Sequence, residues 1–229
     1  MKILLVCPQY PDTLWSFKHA LRFISKRANF PPLGLLTVAA MLPPEWEKRL
    51  VDINTDSLKD DDVKWADYVF ISAMAVQQKS VREVVNKCKE LGTKTVAGGP
   101  LFTTGYEHLG FGDVDHLVIS EAENIAAQFI EDLENGCAEH IYESKVHPEI
   151  TSSPAPLWSL IDMNKYHSMN IQYSRGCPFD CEFCDITVMN GRIPRTKTIT
   201  QILTELELLY NSGWRASIFF VDDNFIGNK

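Results

Sequence analysis

The chain has 229 residues, 45% hydrophobic and 23% charged, with a net charge of −8, the balance of an ordinary globular protein. The acidic balance and the lack of any dense Lys/Arg run argue against a nucleic-acid partner. No apolar run approaches the ~20 residues of a membrane-spanning helix, and Met1–Val6, ended by Cys7-Pro8, is too short for a signal peptide, so a cytoplasmic location with reduced thiols is expected.

Lys2–Val6 reads as a first buried strand. Gln9–Phe30 is rich in aromatics without a clean period and reads as a long loop with one helix from Trp15 to Ser25. A helix from Leu33 to Leu42 is opened by Pro31-Pro32 and closed by Pro43-Pro44. Arg49–Ile53 is a second strand, and the Asp60-Asp61-Asp62 patch reads as a solvated loop before a third, Tyr68–Ala73. Val81, Val84, Val85, Cys88 and Leu91 recur at helical spacing, predicting a helix over Ser80–Leu91 capped by Gly92. Lys94–Ala97 and His116–Ile119 are strands four and five, followed by a helix over Ala122–Leu133 that closes near Gly136.

Apolar strands alternating with helices predict an α/β domain, a doubly wound parallel sheet of flavodoxin or Rossmann type, over residues 1–136. In such sheets ligands sit beyond the carboxyl ends of the strands. The loops to watch are therefore Cys7–Tyr10, Ser72-Ala73-Met74, Gly98-Gly99-Pro100 and Ser120-Glu121-Ala122-Glu123. Residues 137–169 read as a breaker-rich linker, with Leu157–Ile161 as an anchor on the next unit. Residues 170–229 read as the opening βα units of a TIM-like barrel. Its parts are a strand at Asn170–Ser174, a helix at Thr198–Ser212 and a strand at Ser217–Val221 that runs into Asp222-Asp223-Asn224.

Cys177, Cys181 and Cys184 stand in a C-x3-C-x2-C run after the first of these strands. Thiolates packed this closely call for a soft metal centre, and iron–sulfur clusters are held this way. A disulfide with a spare thiol needs an oxidising compartment, a zinc site needs a second half, and a redox C-x2-C leaves Cys177 without a role. The run, with Phe183 before its last cysteine, resembles the signature of the radical S-adenosylmethionine enzymes. That resemblance implies a 4Fe–4S cluster on Cys177, Cys181 and Cys184, whose open iron is chelated by S-adenosylmethionine. An electron from the cluster then releases a 5′-deoxyadenosyl radical. It also implies an electron donor of flavodoxin or ferredoxin type and a small-molecule or peptide substrate. In that family the loop after the second barrel strand contacts the methionyl ammonium. The usual Gly-Gly-Glu is Asp-Asp-Asn here, so Asp222 or Asp223 would serve, a helix N-cap being the other reading.

The first unit resembles the cobalamin-binding domains that precede such barrels, through Ser72 after strand three, Gly98-Gly99 after strand four and the Ser120-Glu121-Ala122-Glu123 turn, similar to a Gly-Glu-x-Glu turn. Ser72, Gly98, Gly99 and Glu121 would then contact cobalamin. The Asp-x-His-x-x-Gly motif of mutase-type domains is absent, and His19 lacks the flanking residues, so no histidine would ligate cobalt. The alternatives are a domain without a cofactor or one with another ligand. The resemblance implies a fragment of a longer radical enzyme, inactive alone, whose family chemistry includes methyl transfer and rearrangement. A non-catalytic electron-transfer or sensor protein is the contrasting expectation.

Overall fold

The computed structural model describes residues 1–13 and 16–225. Strand β1 (Lys2–Cys7) is buried at five consecutive positions, the mark of a strand covered on both faces. It is followed by α1 (Lys18–Phe23), α2 (Leu33–Met41), β2 (Glu47–Asp52), α3 (Asp60–Trp65), β3 (Tyr68–Ser72) and α4 (Gln78–Leu91). Then come β4 (Lys94–Gly98), α5 (Pro100–Leu109), β5 (His116–Ile119), α6 (Ala126–Glu134) and β6 (Ile141–Glu143). The six strands pair in parallel in the order β2-β1-β3-β4-β5-β6. The order reverses between β1 and β3, which opens a crevice at their carboxyl ends.

Alternate residues of β1 feed two cores, as the strand period dictates. Leu4 and Val6 pack with Val63, Val81, Val84, Cys88, Leu101 and Phe102, carried by α3, α4 and α5. Ile3, Leu5 and Cys7 pack with Leu35 and Ala39 of α2 and with Ile125, Phe129 and Leu133 at α6. The doubly wound class is thus the one the chain adopts.

A second unit follows: β7 (Met169–Ile171), β8 (Ser174–Arg175), α7 (Ile186–Asn190), β9 (Arg195–Thr196), α8 (Ile199–Asn211) and β10 (Ile218–Phe220). β10 lies parallel to β7 with α8 between them in the chain, a βαβ crossover. β8 and β9 form a short antiparallel pair that brackets the three-cysteine loop. Thr198 caps α8 reciprocally with Gln201, which fixes where the helix starts. Leu36, Trp158, Tyr166, Met169, Ile171 and Leu209 form the core here, so α2 faces two cores at once.

Several expectations need correction. The sheet has six strands rather than five, because Ile141–Glu143 pairs with β5 from within the segment read as linker. The acidic patch is no loop: Asp60, Asp61 and Asp62 form the first turn of α3, where the helix dipole favours negative charge. The helix expected over Trp15–Ser25 is shorter, Lys18–Phe23, and Trp15 lies outside the described residues. The helix α5 was not expected, since Thr103, Thr104 and Gly105 weaken its period, although Pro100 at its first turn is a start signal.

Candidate functional site

The carboxyl ends of β3, β4 and β5, roofed by α2 and α6, enclose a narrow apolar slot of about 80 Å³. Ser72, Gly98, Gly99, Ser120 and Ala122 form its floor and mouth, with Leu35, Phe70, Val118, Ala126 and Phe129 as walls. Gly99 has φ +88°, and a Cβ there would stand 2.6 Å from Ser72 Oγ. Only glycine lets the end of β4 pass so close to the loop after β3. Three residues expected to meet a cofactor, Ser72, Gly98 and Gly99, are thus brought together at one opening. Its aliphatic and aromatic walls suit a flat, weakly polar group.

At the end of β1 the picture differs. The Cys7 thiol is buried beside Asn54 Nδ2 at 3.8 Å and Gln77 Nε2 at 3.9 Å. Burial, reinforced by the charge of Asp52, pushes its pKa well up, so it stays a thiol. Asp52 is itself pushed up by burial, against donors from Asn54 and from the Tyr166 hydroxyl at 3.0 Å. Beyond them, Tyr10 donates its hydroxyl to Met74 Sδ at 3.8 Å, and both side chains are exposed at the crevice.

The cysteine loop opens at Gly176, whose φ of +94° brings the backbone against the opposite arm. A Cβ there would meet Ile193 O at 2.6 Å and Asn190 O at 3.1 Å. The Cys177 N–H donates to Gly191 O at 3.1 Å and the Cys184 N–H to Cys181 O at 3.0 Å. All three cysteines are free thiols, Cys177 and Cys184 half-buried and Cys181 exposed, with Phe179 and Phe183 exposed around them. Among the described residues no three His, Cys, Asp or Glu side chains converge into a metal cage. The chemistry of the donors still fits a soft iron–sulfur centre: three free thiols stand on one open loop, while Asp180 within it is engaged by Arg192 at 2.7 Å.

Asp222 and Asp223 brace this loop from the end of β10. Asp223 Oδ2 accepts from the Gly176 N–H at 2.8 Å and from Asn190 Nδ2 at 2.9 Å. Asp222 Oδ1 accepts from the Tyr173 N–H at 3.1 Å and from the Ser174 backbone and hydroxyl. Asp222 Oδ2 is buried with no hydrogen-bond partner, an acceptor in need of a donor.

Glu121 does not face the slot. Its carboxylate takes a two-pronged bond from Arg195 (Nη2–Oε1 2.8 Å, Nη1–Oε2 3.0 Å) and a further one from Arg175 at 2.8 Å. His147 Nδ1 lies 3.0 Å from Oε1. Glu123 binds Arg175 at 2.8 Å and accepts from the Ser153 hydroxyl. Glu121 and Glu123 are 7% and 3% exposed, so this is a desolvated ion lattice rather than a surface pair. Burial alone would raise the Glu121 pKa; the bonds from Arg195 and Arg175 outweigh it and hold the carboxyl below its ordinary range. Arg175, Arg195 and His147 had no motif to reveal them, being separated in the chain from their carboxylate partners.

The chain is similar to several known proteins. Residues 23–130, which carry β2 to β5 of the sheet, match the B12 binding domain family. Across its whole length the chain is 43% identical to sll1242 of Synechocystis sp., described as an uncharacterized methyltransferase. It is 36% identical to the hopanoid C-2 methylase of Rhodopseudomonas palustris. The chain spans 43% and 44% of these two relatives. The structure also superposes on TsrM of Kitasatospora setae, a radical S-adenosylmethionine methyltransferase solved with cobalamin and a [4Fe-4S] cluster bound. The TM-score is 0.69 at 14% identity, over 98% of this chain and 48% of that one, a likeness of fold. Among the described residues no helix is long and apolar enough to cross a membrane.

Proposed function

We propose that this chain is the cobalamin-holding and cluster-holding part of a radical S-adenosylmethionine methyltransferase acting on a small-molecule or peptide substrate. The observation that carries the reading is the slot at the ends of β3, β4 and β5, floored by Gly98 and Gly99 and joined through the turn after β5 to a loop of three free thiols. The B12-domain match and the methyltransferase relatives support it. When bound, the cofactors supply reductive cleavage of S-adenosylmethionine and carriage of a methyl group between it and a carbon centre.

The chain's own residues hold and orient. Ser72, Gly98 and Gly99 would help hold cobalamin at the slot, whose apolar walls would keep water from the part they cover. Cys177, Cys181 and Cys184 would hold the 4Fe–4S cluster. Asp222 Oδ2, buried and unpartnered, meets the need of an ammonium group on S-adenosylmethionine, while Oδ1 keeps the Tyr173–Ser174 backbone in place. Electrons would come from a small flavodoxin- or ferredoxin-type donor.

The test is anaerobic reconstitution with iron, sulfide and hydroxocobalamin. The wild-type chain is expected to take up about four irons, the content of a cubane, and to bind cobalamin. Replacing Cys177, Cys181 and Cys184 with Ala removes the iron but not the cobalamin, whereas Cys88→Ala leaves both. Ala126→Phe, which fills the slot, weakens cobalamin binding by about tenfold or more, a loss of at least ~1.4 kcal/mol, and leaves the iron in place. Equal iron loss from Cys88→Ala, or undiminished cobalamin binding by a folded Ala126→Phe protein, defeats the reading.

A further inference from the structure

The turn after β5 alternates its duties residue by residue. Ser120 and Ala122 line the slot. Glu121 and Glu123, between and after them, point to the hairpin that carries the cysteine loop, through Arg195 of β9 and Arg175 of β8. Each arm of the hairpin is held by its own arginine, and both arginines converge on this one turn. Arg175 stands two residues before Cys177, so its position sets where the loop begins. Arg195 Nη2 also donates to Asn190 O at 2.8 Å, where the loop ends, and Asn190 in turn donates to Asp223.

We propose that Glu121 and Glu123 are positioning residues: they lock the cysteine hairpin at a fixed place relative to the slot, so that two separately built sites keep one geometry. Four features carry this. The carboxylates are nearly fully buried, and a buried charge is stable only with its partners in place. The Arg195 bond is two-pronged, which fixes orientation as well as distance. The hairpin's own ladder is short, β8 and β9 being two residues each, and Asp222 and Asp223 brace it from the end of β10 rather than from the slot. Ser120 holds φ at +79°, which turns the chain so that neighbouring side chains diverge to the two sites.

The first test needs no cofactor and so stands apart from the functional reading. Hydrogen exchange is measured on the wild-type chain and on a Glu121→Gln/Glu123→Gln variant. Segment 174–196 is expected to exchange roughly tenfold faster or more in the variant, while β1, β3 and β4 keep their protection, the pattern of local opening. Arg195→Lys, which keeps the charge and loses the fork, falls between the two. Unchanged exchange in 174–196, or equal acceleration throughout the sheet, overturns the proposal. The second test rests on the proposed function. In the reconstituted protein, spin–spin broadening between Co(II) cobalamin and the reduced cluster reports their separation. The variant is expected to bind cobalamin as wild type does, since neither carboxylate lines the slot, but with altered broadening. Identical broadening at equal loading means the hairpin holds its place without the carboxylates, and the proposal fails. A wild-type chain that binds neither cofactor refutes the functional reading while the exchange result still judges the lock.

Discussion

Ser120 sits at φ +79°, a left-handed conformation that costs a residue with a Cβ roughly 1–2 kcal/mol. Its N–H is held by Thr103 Oγ1 at 3.1 Å, so the turn is fixed from outside and the conformation is imposed rather than chosen. Ser120→Gly is therefore expected to raise stability by about 1 kcal/mol, less the entropy glycine adds to the unfolded chain. Chemical denaturation checks this: an unchanged or lower midpoint at equal slope would show that the serine side chain makes a compensating contact. The contrast with Gly99 is instructive. There a Cβ collides with Ser72 Oγ, so Gly99→Ala is expected to destabilise where Ser120→Gly stabilises. Both positions were visible in the sequence as small residues after strands. Their backbone angles were not, because side-chain identity reports room for a conformation without reporting that it is taken up.

The β8–β9 hairpin is held by charge, which makes it sensitive to acid. Glu121 has a folded pKa below its unfolded value of about 4.3. A group depressed in this way contributes its full stability above the unfolded pKa and loses it as pH falls through the folded one. The hairpin is thus expected to stay closed down to about pH 4, where an ordinary carboxylate is already half protonated, and to open below that. Pulsed hydrogen exchange of segment 174–196 across pH 3–6, corrected for intrinsic rates, follows the opening. Opening already complete near pH 5.5 would contradict the depressed pKa. The elements read most surely from sequence were those with long regular periods. Val81, Val84, Val85 and Cys88 gave α4, and the capped run from Thr198 gave α8. The hairpin escaped because two-residue strands have no period. β6 escaped because three edge residues in a breaker-rich segment look like linker. The cysteine spacing located the loop itself, whereas the arginines that hold it lie in unremarkable sequence and are identified by distance alone.

The two units share α2. Leu35 and Ala39 point into the core under the sheet, while Leu36, fully buried, points into the core built from Trp158, Tyr166, Met169, Ile171 and Leu209. The Leu157 N–H donates to Leu36 O at 3.0 Å, and the Tyr166 hydroxyl reaches Asp52, so polar bonds cross at the same seam. One helix serving two cores predicts a single cooperative unfolding transition for the described molecule. Leu36→Ala is expected to cost about 2–5 kcal/mol and to lower the melting of both units together, read by exchange in β1 and in β7. If β7 alone loses protection, the units unfold independently. The shared helix also bears on how the chain is made. Leu36 leaves the ribosome well before Tyr166, Met169, Ile171 and Leu209, which cover it. At about 5–20 residues per second, its apolar side stays bare for roughly 10–30 s. For that interval the newborn sheet carries an adhesive stripe that the finished protein no longer shows.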